Sequence, residues 1–558
     1  MLCKPGGNRV RTSASSLGSA SVARHVRPAM GPRNADPIAR MNLRPSPHIS
    51  ADALAAGKRA LVMDAAWASA TGALSGGVVL VAFALTLGAG PLEVGLLAAI
   101  PFIAQIAQLP GIALVERIRQ RKKMGVIAVT LARVLILGLA LLPALPMREL
   151  QLPLLVLAQL FISLLGSAAA CAINSWFHQL LPAERLGAFF ARRLLVASVV
   201  ACVSILSVGL LVDFLPSDAR LNPYSLVFAA AGIAGLASSY YLARTPEPTM
   251  PMSTPGGSLW GMLRGPFRDP NFAPLLVLLG AWNLAANLAA PFLTVYLIQQ
   301  LNYGLSTVTT LWVTSQLANA FTLYIWGRLS DRMSNKAVLA VAFPIYFACT
   351  LGLVFAAPGS SGGMRLGYLY VLHIVMGAAS GGISLATGNL GLKLAPKEQG
   401  TAYLASIGMV AALAGGTAPL AGGVLAEWFA SSELSVVLRW SSVAQTKEVS
   451  VLSFAHWEFL FAISALLGLY VMHALSRIKE GNEYSERAVI QELAFEALRT
   501  VNHLSSIGGV LGSVFPFERL SRGLYQRLPR SRRLARVALQ RRAARAAKAR
   551  RSTVRKPE

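Results

Sequence analysis

Runs of about twenty apolar residues recur along the centre of the chain, parted by short polar or glycine- and proline-rich stretches. Each run is long enough to cross about 30 Å of hydrocarbon as a helix. Twelve are counted, over 62–88, 93–114, 125–145, 153–176, 194–214, 224–243, 272–298, 306–326, 337–357, 367–390, 401–425 and 454–475. The pattern predicts an all-α polytopic membrane protein of about twelve transmembrane helices. Trp67 and Trp282 lie 215 residues apart, as do Glu116 and Asp331, and Arg117 and Arg332. Pro182 and Pro396, 214 apart, open similar loops after the fourth span of each half, Pro182–Gly187 and Pro396–Gly400. A register kept over that length predicts two pseudo-symmetric six-helix halves, 60–243 and 272–476, joined by a Pro-, Gly- and Arg-rich cytoplasmic linker over 244–271.

Composition sharpens this picture. Of 558 residues 54% are hydrophobic and 13% charged, against about 25% charged in a soluble domain, which excludes an ordinary water-soluble fold. The net charge of +27 sits mostly at the ends. Residues 1–59 hold ten Lys/Arg against Asp36 and Asp52, and 519–558 hold fifteen against Glu558. The first stretch is rich in Ser, Arg, Gly and Pro and reads as a disordered basic region; it lacks the apolar core of a cleavable signal peptide, and Met30 and Met41 are alternative starts. After the last span, 477–558 reads as cytoplasmic. Val489, Leu493, Leu498 and Val501 roughly share a face within Glu480–Ser505, predicting an amphipathic helix. The fifteen basic residues beyond it suit anionic lipid headgroups, at about 1 kcal/mol each near the surface. Nucleic acid is the weaker reading, because that tail has no aromatics after Tyr525. One set of loops carries sixteen Lys/Arg and the alternate set five, which places the first set and both termini in the cytoplasm. An integral protein of a bacterial inner (plasma) membrane is expected. Cys3, Cys171, Cys202 and Cys349 have no paired spacing and read as small hydrophobes.

Residues 327–339 read Gly-Arg-Leu-Ser-Asp-Arg-Met-Ser-Asn-Lys-Ala-Val-Leu, which resembles the loop signature of the major facilitator superfamily. Gly327, Leu329, Asp331, Arg332 and Lys336 match it, while Ser334 and Asn335 replace a glycine and a basic residue. A weaker copy in the first half uses Leu114, Glu116, Arg117 and Arg121, with Gly111 one position early. The run Leu87-Gly-Ala-Gly-Pro-Leu-Glu-Val-Gly95-Leu is similar to the family's link between its first two helices. The resemblance covers about 60–476 and implies a secondary transporter, by symport or antiport, that rocks two halves around a midplane site. Physically, Asp331 and Arg332 sit where a carboxylate can bridge arginines and a neighbouring helix N-terminus. Glu116, Arg117, Gly327, Asp331, Arg332 and Lys336 are therefore gate candidates, the plainer reading being topology anchors.

Ionisable groups inside spans are costly and usually functional. Arg133, about 12 Å into the third span, is a candidate for substrate or counter-ion binding, or a snorkelling anchor. Asp64, opening the first span, is a coupling candidate within reach of Arg133, or a simple helix N-terminal acid. Asn283 and Asn287 share a face of the seventh span, Ser315 and Asn319 of the eighth, and Gln105 and Gln108 lie three apart on the second; His373 sits in the tenth near Ser380 and Ser384. As a set they suit a polar-lined cavity; singly they suit interhelical bonds of about 0.6 kcal/mol. The scarcity of deep acids favours a neutral solute, or an anionic one if Arg133 faces the cavity. A coupling proton or ion is a further expected partner.

No GxxxxGK[ST] loop points to ATP-driven pumping, and no metal or cofactor cluster is recognised. Two rivals to transport remain. A membrane-embedded enzyme would draw on His178, Glu184 and Arg185. A non-transporting sensor would signal through the basic tail, and should lose its output on tail deletion where a transporter keeps its flux.

Overall fold

The computed structural model describes residues 43–181, 186–215, 222–250, 259–356, 362–396, 400–441 and 446–480. The basic N-terminus up to residue 42, the amphipathic segment and basic tail beyond Glu480, and most of the two repeated loops opened by Pro182 and Pro396 lie outside the described residues. The helices are α1 (Ala51–Ser75), α2 (Gly77–Thr86), α3 (Pro91–Ile103), α4 (Gln108–Ile118), α5 (Arg121–Gly138), α6 (Arg148–Leu180), α7 (Leu186–Phe214), α8 (Pro223–Ala243), α9 (Leu259–Arg268), α10 (Ala273–Val295), α11 (Leu305–Arg332), α12 (Asn335–Gly352), α13 (Gly362–Leu394), α14 (Gly400–Phe429) and α15 (Trp457–Ser476).

With α1 running into α2 and α3 into α4, and α9 set aside as a short linker helix, these make twelve helical rods among the described residues. Ten are long and apolar enough to cross a membrane, and the bent α3–α4 pair makes an eleventh. The exception is α11, whose Thr, Ser, Gln and Asn content lowers its apolarity. Its hydroxyls turn back on their own helix: Thr310 and Thr314 donate to the carbonyls of Ser306 and Thr310 at 2.7 and 2.8 Å, which makes a polar helix tolerable in an apolar setting.

Two boundaries differ from expectation. Helix α1 begins at Ala51, inside the stretch that composition assigns to a disordered terminus, because the Ser50 hydroxyl accepts the Ala53 N–H at 3.2 Å and caps it. The last span begins at Trp457, because an antiparallel hairpin of β1 (Glu433–Ser441) and β2 (Thr446–Ala455), bulged at Val436/Val437, occupies the connection before it.

The first rod breaks between Ser75 and Gly77. Gly77 has φ +50°, a conformation that carries little penalty only for glycine. A Cβ there meets open space, so Gly77→Ala tests conformation alone: a loss of about 1–2 kcal/mol is expected in thermal unfolding.

Helices α1, α5, α6, α7 and α8 pack among themselves, as do α10 to α15. The two sets meet along α3–α14 and α7–α11. The apolar core is distributed unevenly along that seam. One cluster draws on both sets, with Phe83, Leu97 and Phe228 from one and Phe292, Tyr296, Val308 and Phe461 from the other. The two further clusters each stay within one set: Leu61, Val126, Trp176 and Leu242, and Phe272, Leu329, Val338 and Leu390. The sets are thus joined at the end bearing the α2–α3 turn and apart at the end bearing the basic loops. At the joined end backbones touch directly. A Cβ on Gly423 would lie 2.8 Å from the Pro91 carbonyl oxygen, and one on Gly95 would run into that of Pro419.

Candidate functional site

A cavity of about 480 Å³ lies between the two helix sets. One wall comes from the α1–α2 break, α3 and α6, through Gly76, Gly77, Val81, Leu97, Pro101 and Gln159; the other comes from α10 to α13 and α15, through Ala290, Pro291, Thr294, Trp312, Tyr346, Met376 and Phe461. Broken and proline-containing helices suit such a wall, since Pro101 and Pro291 leave the carbonyls of Leu97 and Asn287 without the usual helical donor. Most of the lining is apolar. Thr350 and Ser464 give their hydroxyls to the carbonyls of Tyr346 at 3.0 Å and Ala285 at 2.7 Å. Gln159, Thr294, Trp312 and Tyr346 are the other polar side chains among the described lining.

An interhelical cavity flanked by two six-rod sets is a transporter architecture, and sequence comparison agrees. The family description "Major Facilitator Superfamily" matches residues 65–419. The chain belongs to that superfamily. Its members are membrane transporters rather than enzymes. This superfamily chain is similar to a multi-drug resistance efflux pump PmrA homolog of Lactococcus lactis, 26% identical over 181 residues, which is 32% of this chain and only 38% of that pump. In fold it is similar to the nucleoside transporter NupG, with a TM-score of 0.58 at 12% identity over 76% of this chain and 100% of that one. It is also similar to a bacterial homologue of the human lysosomal transporter Spinster in its inward-facing, unoccupied conformation, with a TM-score of 0.54 at 15% identity, covering 81% and 96% of the two chains.

Within this superfamily fold, none of the polar residues singled out from the sequence lines the cavity. Asn283 and Asn287 donate to carbonyls of their own helix, those of Leu279 and Asn283, at 2.8 and 2.9 Å. Ser315 and Asn319 stand in the tight seam between α11 and α13, opposite Gly377 and Gly381. His373 is buried, its Nδ1 2.8 Å from the Leu369 carbonyl oxygen. Gln105 and Gln108 are half-buried at the bend between α3 and α4. Asn283, Asn287 and His373 thus bond within their own helices rather than between helices.

Arg133 and Asp64 do come together, away from the cavity. Asp64, 5% exposed, accepts the Ser238 hydroxyl at 2.8 Å and Arg193 Nη2 at 3.3 Å. Arg193 also donates to the Leu61 carbonyl at 3.3 Å and lies over the Phe177 ring at 5.4 Å. Arg133 is within electrostatic reach of Asp64; its stem packs against Gly235, and its Nε is buried without a hydrogen-bond partner among the described residues. The cluster ties α1, α5, α7 and α8 together. A direct Asp64–Arg133 pair gives way to Asp64–Arg193, and Arg133, on α5 packed against α6 and α8, is not among the residues lining the cavity.

At the basic-loop end, Glu116, Arg117, Asp331 and Arg332 are exposed and Gly327 and Lys336 half-buried. The carboxylate that bridges helix ends there is Glu480, its side chain 2% exposed. It accepts the Lys336 N–H at 2.6 Å, the Asn335 amide at 2.8 Å and the Lys393 ammonium at 3.0 Å. Glu247 does the same in the first half, accepting the Arg121 N–H at 2.8 Å and Nε at 3.4 Å, while Arg121 reaches on to the carbonyls of Ser175 and Pro248 at 3.1 and 2.9 Å. Each network fastens its own helix set. Sequence reasoning missed both acids. Arg121 and Lys336 keep the 215-residue register, but the hairpin before α15 shifts Glu480 out of register with Glu247. Of the enzyme candidates, His178 is exposed near the end of α6, and Glu184 and Arg185 lie outside the described residues.

The two acids respond to burial differently. Burial pushes Glu480 up, but the Lys336 N–H, the Asn335 amide and Lys393 outweigh it and hold the carboxyl below its usual range. Burial pushes Glu247 up and the bonds from Lys122 and Arg121 do not offset it. A depressed pKa stabilises the fold above the unfolded value of about 4.3 and loses that contribution as pH falls through the folded value. Glu480→Gln is therefore expected to remove about 2 kcal/mol at neutral pH and to flatten the acid limb of the stability–pH profile below pH about 4, as read by thermal unfolding in detergent.

Proposed function

We propose that this chain is a secondary active transporter that carries a small solute through the interhelical cavity by alternating access, described here in the state open toward the basic loops. The observation that carries this reading is the single apolar cluster shared by both helix sets at one end and the separate clusters at the other. A solute site walled by both halves and sealed on one side is what rocking between two states requires. The excess of Lys and Arg in the loops at the open end supports a cytoplasmic position for that end and for both termini, in a plasma membrane that for a bacterium is the inner one. Asp64 is the candidate for a coupling proton or ion, and the basic tail for anionic headgroups.

The sealed end carries its own fastening. Asp213, at the end of α7, accepts the N–H groups of Leu305 and Ser306 at 3.0 and 2.8 Å, capping α11 across the seam. A cap supplied by the opposite half is lost when that end opens. Asp213→Ala is expected to weaken the sealed state by about 1 kcal/mol and to raise the population open at that end about fivefold, as read by spin-label distances between α7 and α11.

Cysteine accessibility tests the whole reading. In a chain freed of its native cysteines, Ala290→Cys in the cavity and Arg117→Cys at the open end should react with a membrane-impermeant maleimide in inverted vesicles. In right-side-out vesicles Arg117→Cys should stay silent. Labelling of Arg117→Cys from the right-side-out face would overturn the orientation, and an Ala290→Cys inert from both faces would overturn the access path.

A further inference from the structure

We infer that the solute is a neutral, largely apolar molecule carrying one or two hydrogen-bonding groups, an inference that rests on the proposed transport role of the cavity. Among the described residues the lining contains no Asp, Glu, Lys, Arg or His. A bare ion placed there would leave water without a partner, at an effective penalty of several kcal/mol. The buried charge cluster of the first half, Asp64 with Arg193 and Arg133, forms no part of the wall. Apolar surface from Val78, Leu80, Val81, Leu97, Leu293 and Phe461 faces the space instead. The volume, about 480 Å³, is that of a pocket for a drug-sized molecule.

The polar groups are few and divided between the walls. Gln159 stands on the first half; Thr294, Trp312 and Tyr346 stand on the second. A solute hydrogen-bonded to Gln159 on one side and to Tyr346 or Thr294 on the other links the halves. Its polar groups then report occupancy to the rocking motion, and its apolar body supplies most of the affinity. Gln159 is in this reading the residue that sets the charge class. An amide there accepts neutral donors and acceptors; a carboxylate at the same place would supply the counter-charge that the wall lacks.

The test uses aromatic probes of different charge on the purified full chain in detergent: neutral N-phenylnaphthylamine, its anionic relative anilinonaphthalene sulfonate, and the bulkier cation tetraphenylphosphonium. Binding that disappears in the cavity-filling variants Ala290→Trp or Ala98→Trp is scored as specific, and two fillers guard against one that fails to fold. The neutral probe is expected to bind at least about a hundredfold more tightly than either ion. Gln159→Glu should strengthen tetraphenylphosphonium binding at least about tenfold, and Gln159→Leu should not. An ion that binds the wild type as tightly as the neutral probe, with both lost in the filled variants, overturns the charge class and leaves the cavity as the solute site. A Gln159→Glu variant that gains no cation binding also overturns the charge class. Neutral-probe binding unchanged in both folded fillers overturns the cavity reading itself.

Discussion

Gly423→Leu is expected to leave the chain folded but unable to seal the end that is closed here, and net solute flux should fall more than about a hundredfold. The side chain would be driven into the backbone of α3, where a single Cβ already stands 2.8 Å from the Pro91 carbonyl oxygen and 3.0 Å from the Leu92 Cα. Neither is the far end of a flexible side chain, so nothing local can rotate away. Overpacking of this kind costs about 1–3 kcal/mol even where neighbours relax. The relaxation open to this fold is a rigid separation of α3 from α14, which is the opening motion. At about 3 kcal/mol the equilibrium moves roughly 150-fold toward the state open at that end. Gly95→Leu, which meets the Pro419 carbonyl from the other helix, should act in the same direction. Gly138, with nothing near its Cβ position, is the control site. Spin-label distances across the seam read the shift, and a wedge variant with wild-type distances and wild-type flux would show that this contact does not form the seal.

Asp64→Ala is expected to be the most destabilising single substitution in the first half, by about 3–5 kcal/mol. Removing one member of a buried pair leaves the other charge uncompensated. Here Arg193 loses its carboxylate, Arg133 loses the anion within its electrostatic reach, and the Ser238 hydroxyl loses its acceptor. Against a total stability of about 5–15 kcal/mol for a typical domain, this should be plain in a detergent melt. Stability alone does not distinguish a coupling acid from a structural one, but replacing the whole cluster does. Asp64→Leu with Arg193→Met and Arg133→Met removes all three charges, and such replacements by apolar groups are often neutral or stabilising. If Asp64 carries the coupling proton, the restored triple variant should still exchange solute down its gradient but no longer respond to an imposed pH gradient. A triple variant that is stable and still driven by the pH gradient would show that the network is structural.

The membrane bundle was legible in the sequence because crossing a bilayer is a local demand. A span must be apolar over its own length, so 223–243 or 335–356 declares itself without reference to any other residue. The loop signature around Asp331 and the 215-residue register carried the family for a similar reason. Where a local rule was absent, the reading slipped. The hairpin before α15 sits in a connection that no bilayer constrains.

Of the candidate site, the sequence by itself determined that Asp64 stands at the opening of the first span and that few charges enter the spans. Only the tertiary structure decided that Asp64 pairs with Arg193, 129 residues away, that Glu247 and Glu480 rather than Asp331 fasten the helix ends, and that Gln159 rather than the Asn and Ser pairs faces the cavity. The physical reason lies in the solvent. In water an apolar stripe tells which face of a helix is buried; in a bilayer the lipid and an apolar cavity accept the same side chains. Val81, Leu97 and Ala290 could each face either, and only the packed bundle assigns them.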